Sequence, residues 1–402
     1  MRRFLQLHIL TNYPPANLNR DDTGRPKTAL MGDAQRLRVS SQSLKRAWRT
    51  SSVFRDQLPD ADQLIGDRTK RIGLEWIYKL MIQKGVDDQT ARAWTKDIQR
   101  TYGEPESSDA EPDAELLNGQ LVHVSPFERD RLKHFVDALA AYLLEGKQDD
   151  AVIAVEKAIQ KRDKASDKKK ANAALVKELA SHLLVQESTA VDIALFGRML
   201  AAVPAYNFEA AVQVAHAVTV HKAAVEDDYF SAVDDLNRED KGAGHIGERG
   251  FGAGLFYQYI CVNRELLAKN LGGDNPALVG RAIAALLHAV TKVSPTGMQN
   301  SHGSRAFASY VLGEKGDQQP RSLVQAFLKP VKPRDDDGDM MELAVASIER
   351  RCMNFDKVYG ACADQRQRMD ADNPERGDAV KADDKLGPTG SLDDLVAFAQ
   401  AV

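Results

Sequence analysis

Apolar side chains alternate at Leu5, Leu7 and Ile9, and strand-like patterning does not return until after Ala190. That gap is the strongest constraint on the fold. A lone strand leaves its backbone donors and acceptors unpaired, so residues 4–10 need partners from far along the chain. The later candidates are Val191–Phe196, Val212–Val220 and Gly254–Val262, in which β-branched and aromatic residues recur. From about Arg71 to Leu184 helical spacing dominates instead, as in Ile72-Trp76-Leu80 and Phe135-Leu139-Leu143. Strands at both ends of a long helical stretch imply an α+β sheet domain with a helical insertion.

Local signals fill in the rest. Pro14 and Pro15 are expected to end the first strand, with a basic loop following to Leu37. Ser40 or Ser41 then caps a helix from Gln42 to about Ser51 whose apolar stripe is Leu44, Ala47 and Trp48. Glu104–Asp113 reads as a loop, and Gln160–Ala174 as an exposed helix or mobile segment. Ala223–Ala253, acidic and then Gly-rich, is too long for an ordinary hairpin loop. Ala277–Val290, Met340–Tyr359 and a segment capped by Ser391 read as helices. Asp335–Asp337 and Asp364–Thr389 are charged, poor in apolar residues and expected to be mobile.

No apolar run approaches the roughly 18–20 residues of a membrane span. Met1-Arg2-Arg3 lacks the apolar continuation and cleavage site of a signal peptide, so a cytoplasmic location is expected. Cys261, Cys352 and Cys362 form no CxxC pair, which argues against a zinc site or a disulfide framework. The net charge of −4 speaks against nucleic acid only as an average. Residues 1–50 hold ten basic and three acidic residues, and residues 157–177 hold eight and two. Residues 334–402 hold nine basic and sixteen acidic residues. The total conceals opposed blocks.

The first basic block centres on Arg38-Val39-Ser40-Ser41-Gln42-Ser43-Leu44-Lys45-Arg46-Ala47-Trp48-Arg49. A Ser-capped helix offers free N–H groups and a positive dipole end to a phosphate. Lys45 and Arg49, at i and i+4, share the face opposite the apolar stripe, with Gln42 a turn earlier. Arg20, Arg25, Lys27, Arg36 and Arg38 crowd the neighbouring sequence, and a solvated basic surface helix is the competing explanation. The second block, Lys168-Lys169-Lys170 with Lys157, Lys161, Arg162, Lys164 and Lys177, attracts a polyanion without reading sequence. Met199 and Tyr229-Phe230 are candidates for wedging between bases, although such residues are more often core. Asp21-Asp22 is a weak magnesium candidate against a turn with local pairing. His216 and His221 lie five apart in a strand-like stretch, so they point to opposite faces and cannot share a metal. No cofactor motif is present.

Phe4–Leu10, Leu18-Asn19-Arg20-Asp21-Asp22 and Arg38–Arg46 resemble the N-terminus of the CasC family. These are the guide-RNA-binding backbone subunits of the type I-E CRISPR Cascade complex. Val191-Asp192-Ile193-Ala194-Leu195-Phe196-Gly197-Arg198-Met199 is similar to the same family. So are Ala215-His216-Ala217 with Ala232-Val233-Asp234-Asp235-Leu236, and Asn270-Leu271-Gly272-Gly273, in the same order. The resemblance implies a modified RRM-like (ferredoxin-like) palm with a helical fingers insertion and an extended thumb hairpin. The palm would comprise 1–60, 190–222 and 254–330, the fingers 61–189 and the thumb 223–253, leaving 331–402 as a helical and acidic C-terminal segment.

The same resemblance implies guide-RNA contacts at Arg20, Ser40, Gln42, Lys45 and Arg49, to which the neighbouring basic Arg38 is added, and flanking of a flipped nucleotide by Met199 and Phe230. It places target DNA at Lys168, Lys169, Lys170 and Lys177. Beyond about residue 290 the resemblance thins, and Ser294–Arg305 reads as a polar loop near the RNA. Copies would polymerise along CRISPR guide RNA beside CasA, CasB, CasD and CasE, without catalysis or membrane contact. Two alternatives stand beside it. One is a metal-dependent RNase of the type III backbone kind using Asp21 or Asp22, the other a generic RRM-like RNA-binding protein.

Overall fold

The computed structural model describes residues 2–107, 113–187, 190–233, 243–273, 275–333, 338–375 and 385–401. The chain divides into two compact units. Unit 1 comprises Met1–Pro59, Val212–Glu265 and Val279–Val402, and unit 2 comprises Asp60–Ala211 and Leu266–Leu278. In chain order the elements used below begin with β1 (Phe4–Ala16), β2 (Thr28–Met31), β3 (Ala34–Val39) and α1 (Ser41–Arg49). Helices α2 (Asp88–Gln99), α3 (Pro126–Glu145), α4 (Asp150–Lys164), α5 (Lys168–Leu183) and α6 (Val191–Phe196) follow. Then come β4 (Val212–Val214), β5 (Ala217–Thr219), β6 (Glu226–Val233), β7 (Ala243–Asn263) and α7 (Pro276–Lys292). The chain closes with β8 (Ala308–Gly316), α8 (Met340–Tyr359), β9 (Gln365–Asp370) and α9 (Leu392–Gln400).

Unit 1 is built on one antiparallel sheet in the order β9-β8-β1-β7-β5-β3-β2, with β4 and β6 also pairing with β7. The fold is thus α+β. The first strand does find its partners far away: Leu7 faces Gly313 of β8 and Ile260 of β7. It does not stop at Pro14. The ladder with β7 slips between Tyr13 and Ala16, so a bulge absorbs the two prolines, which lack N–H donors, and pairing resumes at Ala16–Gly252. Nor is β1 buried on one face only. Gln6 and His8 are as inaccessible as Leu5, Leu7 and Ile9.

The polar face of β1 is covered by α8, whose Ala344, Val345, Ile348 and Cys352 join Leu10, Tyr257, Tyr310 and Leu312 in one core. His8 can enter that core because its ring is fully partnered, with Nδ1 2.9 Å from the Tyr257 hydroxyl and Nε2 2.9 Å from Glu314. Glu314 also accepts from Arg321 at 3.0 Å and Arg366 at 2.8 Å. Burial acts to raise its carboxyl pKa, but the contact with His8 and then that with Arg321 hold it well below the usual range.

Three expectations fail here for identifiable reasons. The stretch read as a basic loop to Leu37 is the hairpin β2–β3, turned by Gly32-Asp33 with Gly32 at φ 64°. Arg36 therefore points inward, donating to the Thr219 and Phe327 carbonyls, and contributes nothing to a basic surface. Residues 365–370, expected to be mobile, form the edge strand β9. Their charges are neutralised internally by Arg366–Asp356 at 2.7 Å and Arg368–Glu349 at 3.3 Å. Asp335–Asp337 lie outside the described residues.

Among its described residues unit 2 is mainly helical, with a short ladder of Asp67–Thr69 with Val122–Val124. Val191–Phe196, expected as a strand, is the helix α6. A short run with five buried residues in succession fits either element, and here Gly197 at φ 79° ends a helix. No helix among the described residues is long and apolar enough to cross a membrane. The three cysteines are free and buried.

Candidate nucleic-acid interface

Helix α1 follows β3 after the single residue Ser40, and its register comes from that cap. The Ser40 hydroxyl accepts the Ser43 N–H at 3.3 Å, while the Ser40 N–H donates to Asn19 Oδ1 at 2.9 Å. Leu44, Ala47 and Trp48 are buried, which stabilises the helix by about 1.5–3 kcal/mol for each large side chain. That burial turns Gln42, Lys45 and Arg49 to the opposite face, along which Lys45 and Arg49 follow one another a turn apart.

Arg20 is brought to the same end of α1. Its loop is closed by Asp21, whose carboxylate accepts from the Thr23 N–H, the Thr23 hydroxyl and the Arg25 N–H at 2.7–3.0 Å. These bonds, the Thr23 hydroxyl's first, lower the Asp21 pKa and commit Oδ1 to the turn. Leu18, Asn19, Arg20 and Asp22 line one cleft of about 450 Å³ with Ser43, Thr296 and Gly297. The polar loop 294–305 thus meets the N-terminus of α1 beside Arg20.

Arg38 is the penultimate residue of β3, two before the cap, and its Nη1 lies 2.9 Å from His216 Nδ1. His216 has its pKa lowered by burial first, and then by Arg38, Lys27 and Lys45. Arg38 thus touches this imidazole, and Lys27 and Lys45, from separate elements, add to the positive field it feels. Lys27, Asn19 and His216 belong to this surface, and only Lys27 stood among the basic neighbours expected from sequence. His221 makes a different contact, with the Leu255 N–H 3.3 Å from its Nε2.

The hairpin β6–β7 is held at its base by Arg25, whose Nη1 lies 2.9 Å from Asp227 Oδ1. Phe230 pairs across the hairpin with Gly247, and any Cβ at 247 would fall 2.6 Å from its ring. The ring thus lies where a side chain would stand, and the Arg249 guanidinium covers it at 4.6 Å. Phe230 is half-buried, while Tyr229 on the other face is 63% exposed. Asp234-Asp235-Leu236 lie outside the described residues.

In unit 2, Met199 is 78% exposed. Its neighbour Arg198 is buried and paired with Glu128 at 2.6 Å, which fixes the loop and leaves Met199 outside. The lysines gather at the turn between the antiparallel helices α4 and α5. Lys157, Lys161 and Lys164 line a shallow groove of about 540 Å³, whereas Arg162 pairs with Asp97. Lys170 and Lys177, seven residues apart, share a face of α5 with Lys169 flanking. Lys168 is employed differently: its Nζ donates to the Arg162 and Asp163 carbonyls at 3.2 and 2.7 Å, closing the C-terminus of α4. Three lysines at a helix N-terminus oppose the macrodipole, a cost that helix stability does not require.

Among the described residues no group of three or more His, Cys, Asp or Glu side chains is placed to hold a metal. The model of the CT1975-like protein family matches residues 5–397. A chain of a "CRISPR RNA-guided surveillance complex, pre-nicking" is 28% identical with a TM-score of 0.73, over 98% of this chain and 100% of that one. A chain of a "CRISPR RNA-guided surveillance complex" is 23% identical with a TM-score of 0.54, over 98% and 99%, a likeness of fold. No curated protein matches the sequence significantly.

Proposed function

Because the chain belongs to the CT1975-like protein family, we propose that it serves in a Cascade-like CRISPR complex as a guide-RNA-binding backbone subunit. The observation that carries the RNA reading is the convergence of Arg20, Arg38, Lys27 and Lys45 on the capped end of α1. Such a surface grips phosphates and is blind to bases, as a subunit tiling a guide of arbitrary sequence requires. Specificity then passes to base pairing.

The finer reading is a non-catalytic subunit of the type I-E, CasC branch, several copies of which polymerise along one guide beside CasA, CasB, CasD and CasE. The strand order β8-β1-β7 followed by β4 and β5 supports an RRM-like palm. The helices of unit 2 suit the fingers and β6–β7 the thumb. Lys169, Lys170 and Lys177 suit target DNA, with Lys168 contributing less because it closes α4. Met199 suits a wedge between bases, and Phe230 a flat platform stiffened by Arg249.

Electron microscopy of the chain co-expressed with guide RNA and its sister subunits tests this reading. Several copies per RNA are expected, and a one-to-one complex refutes the filament. Metal-dependent cleavage of a complementary RNA that disappears in Asp22→Ala would put the RNase alternative in its place.

A further inference from the structure

We propose that His216 is a positioning residue that holds the Arg38 guanidinium toward a phosphodiester without cancelling its charge. The inference rests on the RNA-binding reading above and extends it to a residue outside the expected contact set.

The geometry begins with strand register. Val214 pairs with Ile260, but Val218 pairs with Tyr257, so Ala215, His216 and Ala217 oppose only Gln258 and Tyr259. Three residues against two is a bulge, and a bulge re-aims the side chain it carries. On the other side Arg38 pairs with Val218 and Val39 with Ala217, which sets the end of β3 beside the bulge. The outcome is the 2.9 Å contact from Arg38 Nη1 to His216 Nδ1.

The chemistry of the pair fixes who donates. A guanidinium has no acceptor and keeps its proton, so Nδ1 must accept and the imidazole proton must sit on Nε2. His216 is accordingly neutral although exposed, in keeping with its lowered pKa, to which desolvation and then the nearby cations Arg38, Lys27 and Lys45 contribute. An arginine held by a carboxylate would lose most of its field to its partner. Elsewhere in the same unit arginines are held that way: Arg321 and Arg366 by Glu314, and Arg25 by Asp227. Arg38 instead has a neutral acceptor, which restricts its rotamers while leaving a full positive charge for an anion.

The test uses the full chain, single-stranded RNAs of unrelated sequence and binding measured across a salt series, with thermal melting as a check on folding. His216→Ala is expected to weaken binding about two- to ten-fold, as loss of one hydrogen bond does. His216→Asn, whose Oδ1 can stand in for Nδ1, is expected to restore it, and His216→Gln is not. His216→Asp keeps the acceptor but flattens the salt dependence by about one phosphate contact. In an Arg38→Ala background His216→Ala and His216→Asn should change nothing further. Equal weakness of His216→Asn and His216→Ala, or additivity with Arg38→Ala, overturns the positioning role while leaving RNA binding standing. Failure of the wild-type chain to bind RNA overturns both.

Discussion

The two basic regions of this protein look alike in sequence and differ in construction. Around α1 the cations come from a loop, a strand and a helix, and backbone capping and a neutral partner hold them in place. At the α4–α5 turn they come from two helices joined in sequence, and exposure rather than partnership defines them. The first arrangement suits a ligand whose phosphates must be kept in register. The second suits a duplex met loosely through its charge. The contrast shows that density of lysine and arginine is a poor guide to a binding surface. Arg36 and Arg162 lie in the two densest stretches, and both are spent on internal contacts.

Removing the organised cations should have the largest effect. Lys45→Ala with Arg49→Ala should lower affinity for single-stranded RNA about 10- to 100-fold and flatten the salt slope by about 1.4, the value for two phosphate contacts. Filter binding at several salt concentrations reads both. At the α4–α5 turn, Lys170→Ala with Lys177→Ala should weaken capture of duplex DNA by the assembled complex by about three- to ten-fold, with guide assembly unchanged. A loss of guide assembly there would erase the distinction between the two regions.

Lys168→Ala should do the reverse of its neighbours. It should leave DNA capture nearly intact and destabilise the chain by about 0.5–1 kcal/mol in denaturant, through the uncapped carbonyls of α4.

Lys315 supplies a third environment, buried without a carboxylate partner among the described residues. Its Nζ donates to the Ala401 carbonyl at 3.1 Å and lies over the Phe398 ring. Burial above all, and then Arg264 and Arg2, pull its pKa down to about 8. Between pH 8 and 9 the folded chain sheds this proton while the unfolded chain keeps it, so stability should rise with pH. Lys315→Met should abolish that rise in melts at pH 8 and pH 9.

How much of this was legible follows the same division between local and distant causes. The α1 helix, its Ser40 cap and its apolar stripe depend on neighbouring residues, and they stand where the spacing places them. The helix at Met340–Tyr359 likewise follows its own periodicity. What the pattern misread depended on remote partners. Strand β9 looked like mobile acidic chain because Glu314, Glu349 and Asp356, which neutralise its arginines, lie outside it. The short run at α6 carried no periodicity to decide its type. The contact of His216 with Arg38 arises from a bulge between strands about forty residues apart, a register that no local pattern encodes. The hairpin at Gly32-Asp33 was visible in principle, since two such residues between strands are a turn signal.

On the proposed reading this chain grips guide RNA by its phosphates and not by its bases. The most direct test is the salt dependence of binding for two single-stranded RNAs of equal length and unrelated sequence, measured with wild type and with Lys45→Ala/Arg49→Ala. One slope and one affinity are expected for both RNAs in wild type, and an equal flattening for both in the variant. Affinities that differ markedly between the two RNAs, with a slope the substitutions leave untouched, would contradict it.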